Sequence, residues 1–201
     1  FIKAAYDFLR YFKVTKNASS HTIRNYCIDL NDLKYFLEDH AFKLDEDSRP
    51  KKIQYQSPTP SQTNIDSIPL DRISRKMLRQ YVIYLAKSTV KKRTTVRRLS
   101  SLRSFFKFCL SQNYLKENPM EDIESPKVDK KLPYSISYNE VQKLFEVPDL
   151  NKYLEFRARC IMELFYSSGL RVSELVGLNR SDFDEKKLLI HIRGKGKKEI
   201  G

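Results

Sequence analysis

The sequence contains no tryptophan and only five glycines among its 201 residues. So few glycines leave little room for tight turns and argue for helices. Cysteine is scarce too. Cys27, Cys109 and Cys160 are odd in number, far apart and free of any CxxC pairing. That pattern excludes a disulfide framework or a zinc site and predicts reduced core thiols of a cytoplasmic protein. The histidines, His21, His40 and His191, are scattered, so neither a metal nor a cofactor is expected. No apolar run approaches the ~18–20 residues of a membrane span, and no membrane association is expected. The opening Phe1-Ile2-Lys3-Ala4-Ala5 has no signal-peptide pattern and no Met. It predicts a start inside a longer natural chain. Acidic residues are outnumbered, 25 against 38 Lys and Arg, for a net charge of +13. Such an excess implies a polyanionic partner, nucleic acid ahead of an anionic membrane.

What is present is helical periodicity. Residues 2–14 place Ile2, Ala5, Phe8, Leu9 and Phe12 on one stripe. Residues 21–39 form a second pattern, with Ile23, Tyr26, Cys27, Leu30, Leu33, Phe36 and Leu37 on one half of the wheel. His21, Arg24, Asn25 and Asn31 fall mainly outside it. Residues 41–70 are polar and carry three prolines, Pro50, Pro58 and Pro60, ahead of Pro69. They predict a long loop whose far end is tied to the core by Ile65, Ile68 and Leu70. Ser74 caps a third helix over 75–87, with Met77, Leu78, Tyr81, Val82 and Leu85 facing inward.

The fourth pattern, 91–112, is the most informative of the N-terminal half. Val96, Leu99, Leu102, Phe105, Phe106, Cys109 and Leu110 form its apolar arc, and Arg93, Arg97, Ser100, Ser101, Ser104 and Lys107 face away. Seven basic residues (Lys91, Lys92, Arg93, Arg97, Arg98, Arg103, Lys107) and no acidic one lie between Lys91 and Lys107. Solvated helix faces normally mix signs, so this one points to nucleic acid. Serines between arginines allow a close approach to a phosphate backbone, and a helix fits a major groove.

Asn118-Pro119 ends this region. Residues 125–136, rich in proline and lysine, read as a linker between a helical domain over 1–124 and a second domain over 137–201. Ser137 and Glu140 form a capping box for a helix to about Val147. A strongly apolar helix over 151–167 ends at Gly169, followed by a helix over Val172–Leu178, a turn over 181–184 and a strand over 188–193. Residues 198–200 begin the partner strand of a hairpin.

Two residues of this half suit phosphate chemistry. Arg171 opens a helix just after Gly169, where a guanidinium fork adds to whatever the helix amides attract. It also suits an ion pair with Glu174, three residues on. The readings are compatible, since Glu174 can orient Arg171 for a phosphate. Lys195, between Gly194 and Gly196 at a hairpin tip, is either a solvated turn lysine or a cation that neutralises a phosphate and protonates a leaving oxygen. Arg193, Lys197 and Lys198 make that tip basic.

The stretches Arg98-Leu99-Ser100-Ser101-Leu102-Arg103-Ser104-Phe105-Phe106-Lys107-Phe108, Asn118-Pro119, Ser125-Pro126-Lys127, Leu132-Pro133, Gly169-Leu170-Arg171-Val172-Ser173-Glu174-Leu175 and Gly194-Lys195-Gly196-Lys197-Lys198-Glu199 occur in this order. In that order they resemble the tyrosine site-specific recombinases, nearest to the Xer type. The insertion over 41–70 is similar to the XerH-type enzymes. The resemblance implies a mainly α fold. A helical, SAM-like core-binding domain of four or five helices precedes the first part of an α+β catalytic domain with a small β-hairpin. It implies double-stranded DNA with inverted half-sites as partner, a homotetramer on two sites, and resolution of chromosome dimers through a 3′-phosphotyrosyl intermediate. It also raises a DNA translocase as a partner. Arg171 matches the first catalytic arginine, Lys195 the hairpin lysine acting as general acid, and Glu174 the supporting acid. Arg24, Lys91, Lys92, Arg93, Arg97, Arg98, Ser100, Ser104, Lys107 and Lys197 are the expected DNA contacts. The family's later His-x-x-Arg and nucleophilic tyrosine have no counterpart up to Gly201, so the chain as given is expected to bind DNA without cutting it. A phage or mobile-element integrase, a non-catalytic DNA-binding factor and an RNA-binding helical protein remain alternatives at this point.

Overall fold

The computed structural model describes residues 1–56, 65–128, 134–193 and 199–200. The chain divides into two compact units, Phe1–Lys130 and Lys131–Gly201.

The described residues of the first unit carry four α-helices: α1 (Ile2–Val14), α2 (Ser20–Phe36), α3 (Arg75–Lys87) and α4 (Lys92–Ser111). Ser19 caps α2 by accepting from the Thr22 N–H, and Ser74 caps α3 by accepting from Met77. The apolar stripes of the four helices meet in one core around Phe8, Leu30, Leu33, Leu78, Tyr81, Leu99, Leu102, Phe105 and Phe106. Phe8 sits at its centre, edge-on to Tyr26, Phe105 and Phe108 with ring centroids 5.0, 5.5 and 5.6 Å away. Edge-to-face rings of this kind contribute beyond simple area burial.

Three expectations are corrected here. The second helix does not run regularly to 39; after Phe36 the chain makes one π turn, Leu37–Ala41. Glu38 of that turn pairs at 2.6 Å with Lys34 of α2, both nearly sealed from solvent. Asn31 does not face solvent but is buried. The inward face of α4 is rotated from the expected arc, leaving Leu110 exposed and Val96 half-buried while Thr95, Ser101 and Phe108 are buried. The cause is α2, which covers the Ser101 side of α4 and offers Asp29 as a polar partner.

The 41–70 segment is anchored on both sides of its undescribed part. Ile68 and Leu70 are buried as expected and Ile65 packs against the core. Pro50 and Ile53 are buried as well, ahead of Tyr55 and Gln56 on the surface. Pro58 and Pro60 lie outside the described residues. A single 3-10 turn occupies Glu46–Ser48 and another Leu70–Arg72.

Among its described residues the second unit carries α5 (Tyr138–Glu146), α6 (Tyr153–Ser168) and α7 (Val172–Val176), then four two-residue strands. The Ser137–Glu140 capping box starts α5. Gly169, at φ 64°, ends α6 in the left-handed region that side-chain-bearing residues disfavour. The expected turn over 181–184 is a 3-10 turn, Arg180–Asp182, followed by β1 (Phe183–Asp184). The expected single strand over 188–193 is split at His191 into β2 (Leu189–Ile190) and β3 (Ile192–Arg193). The His191 N–H donates to the Asp182 carbonyl, so the chain changes partner there. β2 pairs antiparallel with β1, and β3 with β4 (Glu199–Ile200). Cys160 is exposed on α6, against the expected core position; Cys27 and Cys109 are buried. Among the described residues of this unit only Leu170 and Asp182 are buried.

Candidate nucleic-acid interface

At about 100° per residue, Arg93, Arg97, Ser100, Ser104 and Lys107 fall within about 80° of the α4 wheel. Arg93, Ser100 and Lys107 are exposed, as are Lys91 at the N-cap and Lys92 beside it; Arg97 and Ser104 are half-buried. No acidic residue occurs in α4, so this row is positive along its length. Ser104 spends its hydroxyl on the Ser100 carbonyl at 3.2 Å. Arg24 is exposed on α2.

Arg97, Arg98 and Arg103 of α4 also serve the fold, to different degrees. Arg97 Nη1 donates to Asp29 Oδ2 at 2.6 Å, and the same oxygen accepts from the Ser101 hydroxyl at 2.7 Å. Asp29 is fully buried, whereas the Arg97 side chain keeps 40% of its surface exposed. Arg98, only 15% exposed, donates to Asp32 Oδ2 at 2.8 Å. That oxygen also accepts from the Tyr81 hydroxyl at 2.6 Å. Arg103 turns to the Ile123 carbonyl at 2.6 Å and fixes the chain that leaves α4. Burial raises the pKa of Asp29 from its ordinary value, with the Ser101 and Arg97 hydrogen bonds opposing that rise. Burial, then the Asp32 hydrogen bond, likewise raises Tyr81.

Sequence periodicity did not single out Asp29 or Asp32. Their signal was an acidic pair on α2 opposite a run of arginines on α4, legible only once α2 and α4 are known to pack.

In the second unit Arg171 occupies the N-cap of α7. Its N–H donates to Glu174 Oε2 at 2.8 Å and its Nη1 to Glu174 Oε1 at 2.7 Å. Both Glu174 oxygens are thereby engaged, and the pKa of Glu174 is lowered, first by the backbone N–H of Arg171 and then by its side chain. The Arg171 side chain remains 71% exposed, so most of its donors are free to meet an anion. Buried Leu170 anchors the turn behind it. With α7 only five residues long, the guanidinium rather than a helix dipole supplies the positive charge. Gly194, Lys195, Gly196 and Lys197 lie outside the described residues; the flanking strands β3 and β4 are paired in register Ile192–Ile200 and Arg193–Glu199.

No group of His, Cys, Asp or Glu that could hold a metal is found among the described residues. No described helix is long and apolar enough to cross a membrane.

The sequence matches two family models: "Phage integrase, N-terminal SAM-like domain" over residues 5–54 and 62–113, and "Phage integrase family" over 135–201. It is 44% identical over 198 residues to "Tyrosine recombinase XerC" of Chlamydia pneumoniae, covering 98% of this chain and 61% of that relative. It is 46% identical over 198 residues to "Tyrosine recombinase XerC" of Chlamydia caviae, with the same coverage. The crystal structure of XerA recombinase is similar at 20% identity with a TM-score of 0.37, covering 100% of this chain and 58% of that one. The chain spans 61% of the length of these curated relatives. With both of its units matched, the chain belongs to the phage integrase family, among the tyrosine recombinases.

Proposed function

We propose that this chain is the DNA-binding domain and the first catalytic segment of an Xer-type site-specific recombinase. In this reading residues 1–124 bind one face of a DNA half-site, 125–136 link, and 137–201 bring catalytic groups to the scissile phosphate. The observation that carries it is the row of positive and hydroxyl side chains along α4, Arg93, Arg97, Ser100, Ser104 and Lys107, with no acidic residue between them. Lys91, Lys92, Arg24 and Lys197 extend the phosphate-facing set. Arg98, held inward by Asp32, supports the joint between α2 and α4.

In the reaction, a tyrosine oxygen forms a bond to the scissile phosphorus and loses its proton. The bond from phosphorus to the 5′ oxygen breaks, and that oxygen takes a proton from Lys195. The product is a 3′-phosphotyrosyl linkage and a free 5′ hydroxyl. Arg171 places its exposed donors on the non-bridging oxygens, where charge accumulates in the transition state. Glu174 keeps that guanidinium in one orientation. Arginines and a lysine supply the positive charge that a metal supplies elsewhere.

Four copies on two sites, resolution of chromosome dimers in the cytoplasm and activation by a DNA translocase complete the reading. The XerC names of the relatives favour it over a phage or mobile-element integrase. The test is footprinting of the chain on duplexes selected from a random library. Inverted half-sites protected on one helical face are expected. Equal binding to all sequences, or preference for RNA, would replace it with a non-catalytic or RNA-binding reading. In a protein of the XerC relatives' length, Arg171→Ala and Lys195→Ala should abolish strand exchange while leaving the footprint in place.

A further inference from the structure

We infer that Asp29 is a positioning residue for DNA recognition: from its buried seat on α2 it presents Arg97 of α4 to a backbone phosphate. The inference rests on the proposed DNA-binding role of α4.

Two neighbouring arginines meet two carboxylates of α2 in contrasting ways. Arg98 and Asp32, with Tyr81, make a closed network with little exposure on the arginine side. Arg97 and Asp29 make an open one. The carboxylate is fully buried and the arginine 40% exposed. Both donors to Asp29, Arg97 Nη1 and the Ser101 hydroxyl, converge on Oδ2, while Oδ1 is buried without a hydrogen-bond partner. A guanidinium has five N–H donors in a rigid plane, so engaging one edge leaves another directed outward.

Position on the helix completes the argument. Arg97 stands at the margin of the exposed row, between Arg93 and Ser100 on the open side and Ser101 on the buried side. A long arginine there would sample many rotamers. Asp29 and Ser101 restrict it, which lowers the conformational cost of meeting a phosphate. Burying a carboxylate against a partly solvated arginine contributes little to stability on balance, so a positioning role explains the arrangement better than a stabilising one does.

The test is a double-mutant cycle on duplex binding by the 201-residue chain at fixed salt. Arg97→Ala is expected to weaken binding about tenfold, as loss of one charge-assisted contact does. In an Asp29→Asn background the same substitution is expected to cost no more than about threefold, because an unseated Arg97 contributes less. An equal cost in both backgrounds would mean Asp29 serves only the fold. A larger cost in the Asp29→Asn background would mean Asp29 merely shields the charge of Arg97. Either result overturns the inference while leaving DNA binding by α4 intact. Absence of duplex binding by the unsubstituted chain would overturn both. Should Asp29→Asn melt the fold, Ser101→Ala removes the second donor from Oδ2 and must diminish the Arg97→Ala cost in the same direction.

Discussion

The side chain of Asn31 binds both backbone polar groups of Ile53. The Ile53 N–H donates to Asn31 Oδ1 at 2.8 Å, and Asn31 Nδ2 donates to the Ile53 carbonyl at 2.9 Å. One amide thus does for an extended segment what a neighbouring strand would do, and it fixes the near end of the 41–70 insertion on α2. The Cys27 thiol donates to the same carbonyl at 3.1 Å. Asn31→Ala strands the Ile53 N–H in the interior and is expected to destabilise the first unit by about 2–4 kcal/mol. Urea unfolding measures it. The same variant should speed amide exchange at Ile53 while leaving α4 protected at moderate denaturant.

Thiol reactivity separates the three cysteines. Burial pushes the Cys27 thiol up to about 11 and Cys109 up to about 12, whereas Cys160 is exposed. Since the thiolate is the nucleophile, iodoacetamide at pH 8 should modify one cysteine per folded chain rapidly and the other two only on unfolding. Intact-mass measurement reads the count, and Cys160→Ser should remove the fast phase.

Alkaline stability carries the signature of Tyr114. Its hydroxyl donates to Asp7 at 2.5 Å, and that hydrogen bond, with burial second, raises its pKa from 10.0 to about 12. Folded protein therefore keeps a proton that unfolded chain releases. The resulting stability is complete below pH 10 and is lost as pH rises through about 12. Relative to Tyr114→Phe, the unsubstituted chain should be more stable by about 1 kcal/mol at pH 8, with the gap closing across that alkaline window. Paired urea titrations at each pH measure the difference and cancel the contributions of other groups.

Gly169 joins α6 to the Arg171 turn. A Cβ there would meet no atom within 4 Å, so the cost of a substitution is conformational, arising from φ +64°. Gly169→Ala should destabilise the second unit by about 1–2 kcal/mol, and Gly169→Asn by less, since asparagine tolerates the left-handed region. Thermal unfolding of the two variants measures the order.

Helix positions were legible in the sequence because apolar residues recur at helical spacing. The caps at Ser74, Ser137 and Gly169 were legible because a few residue types serve those geometries. The Arg171–Glu174 pair followed from a spacing of three. Asn31, Asp29 and Ser101 were not legible, because each is a polar residue whose burial depends on a partner far away in the chain. A wheel ranks such residues as outward-facing; only the packing of α2 on α4, and of the insertion on α2, provides the hydrogen bonds that make their burial tolerable. Ile53 was missed for the same reason, as a lone apolar residue in a polar loop. The split of 188–193 at His191 was not legible, since hydropathy does not record which neighbour a strand pairs with.

The salt dependence of duplex binding tests the DNA-binding row of α4 most directly. A plot of log K against log salt for the chain and for an Arg93→Ala/Lys107→Ala variant is expected to show weaker binding in the variant. Its slope should be shallower by about 2, roughly one unit for each phosphate contact removed. Identical affinities and identical slopes would contradict the account, since the exposed row of α4 would then lie away from the nucleic acid.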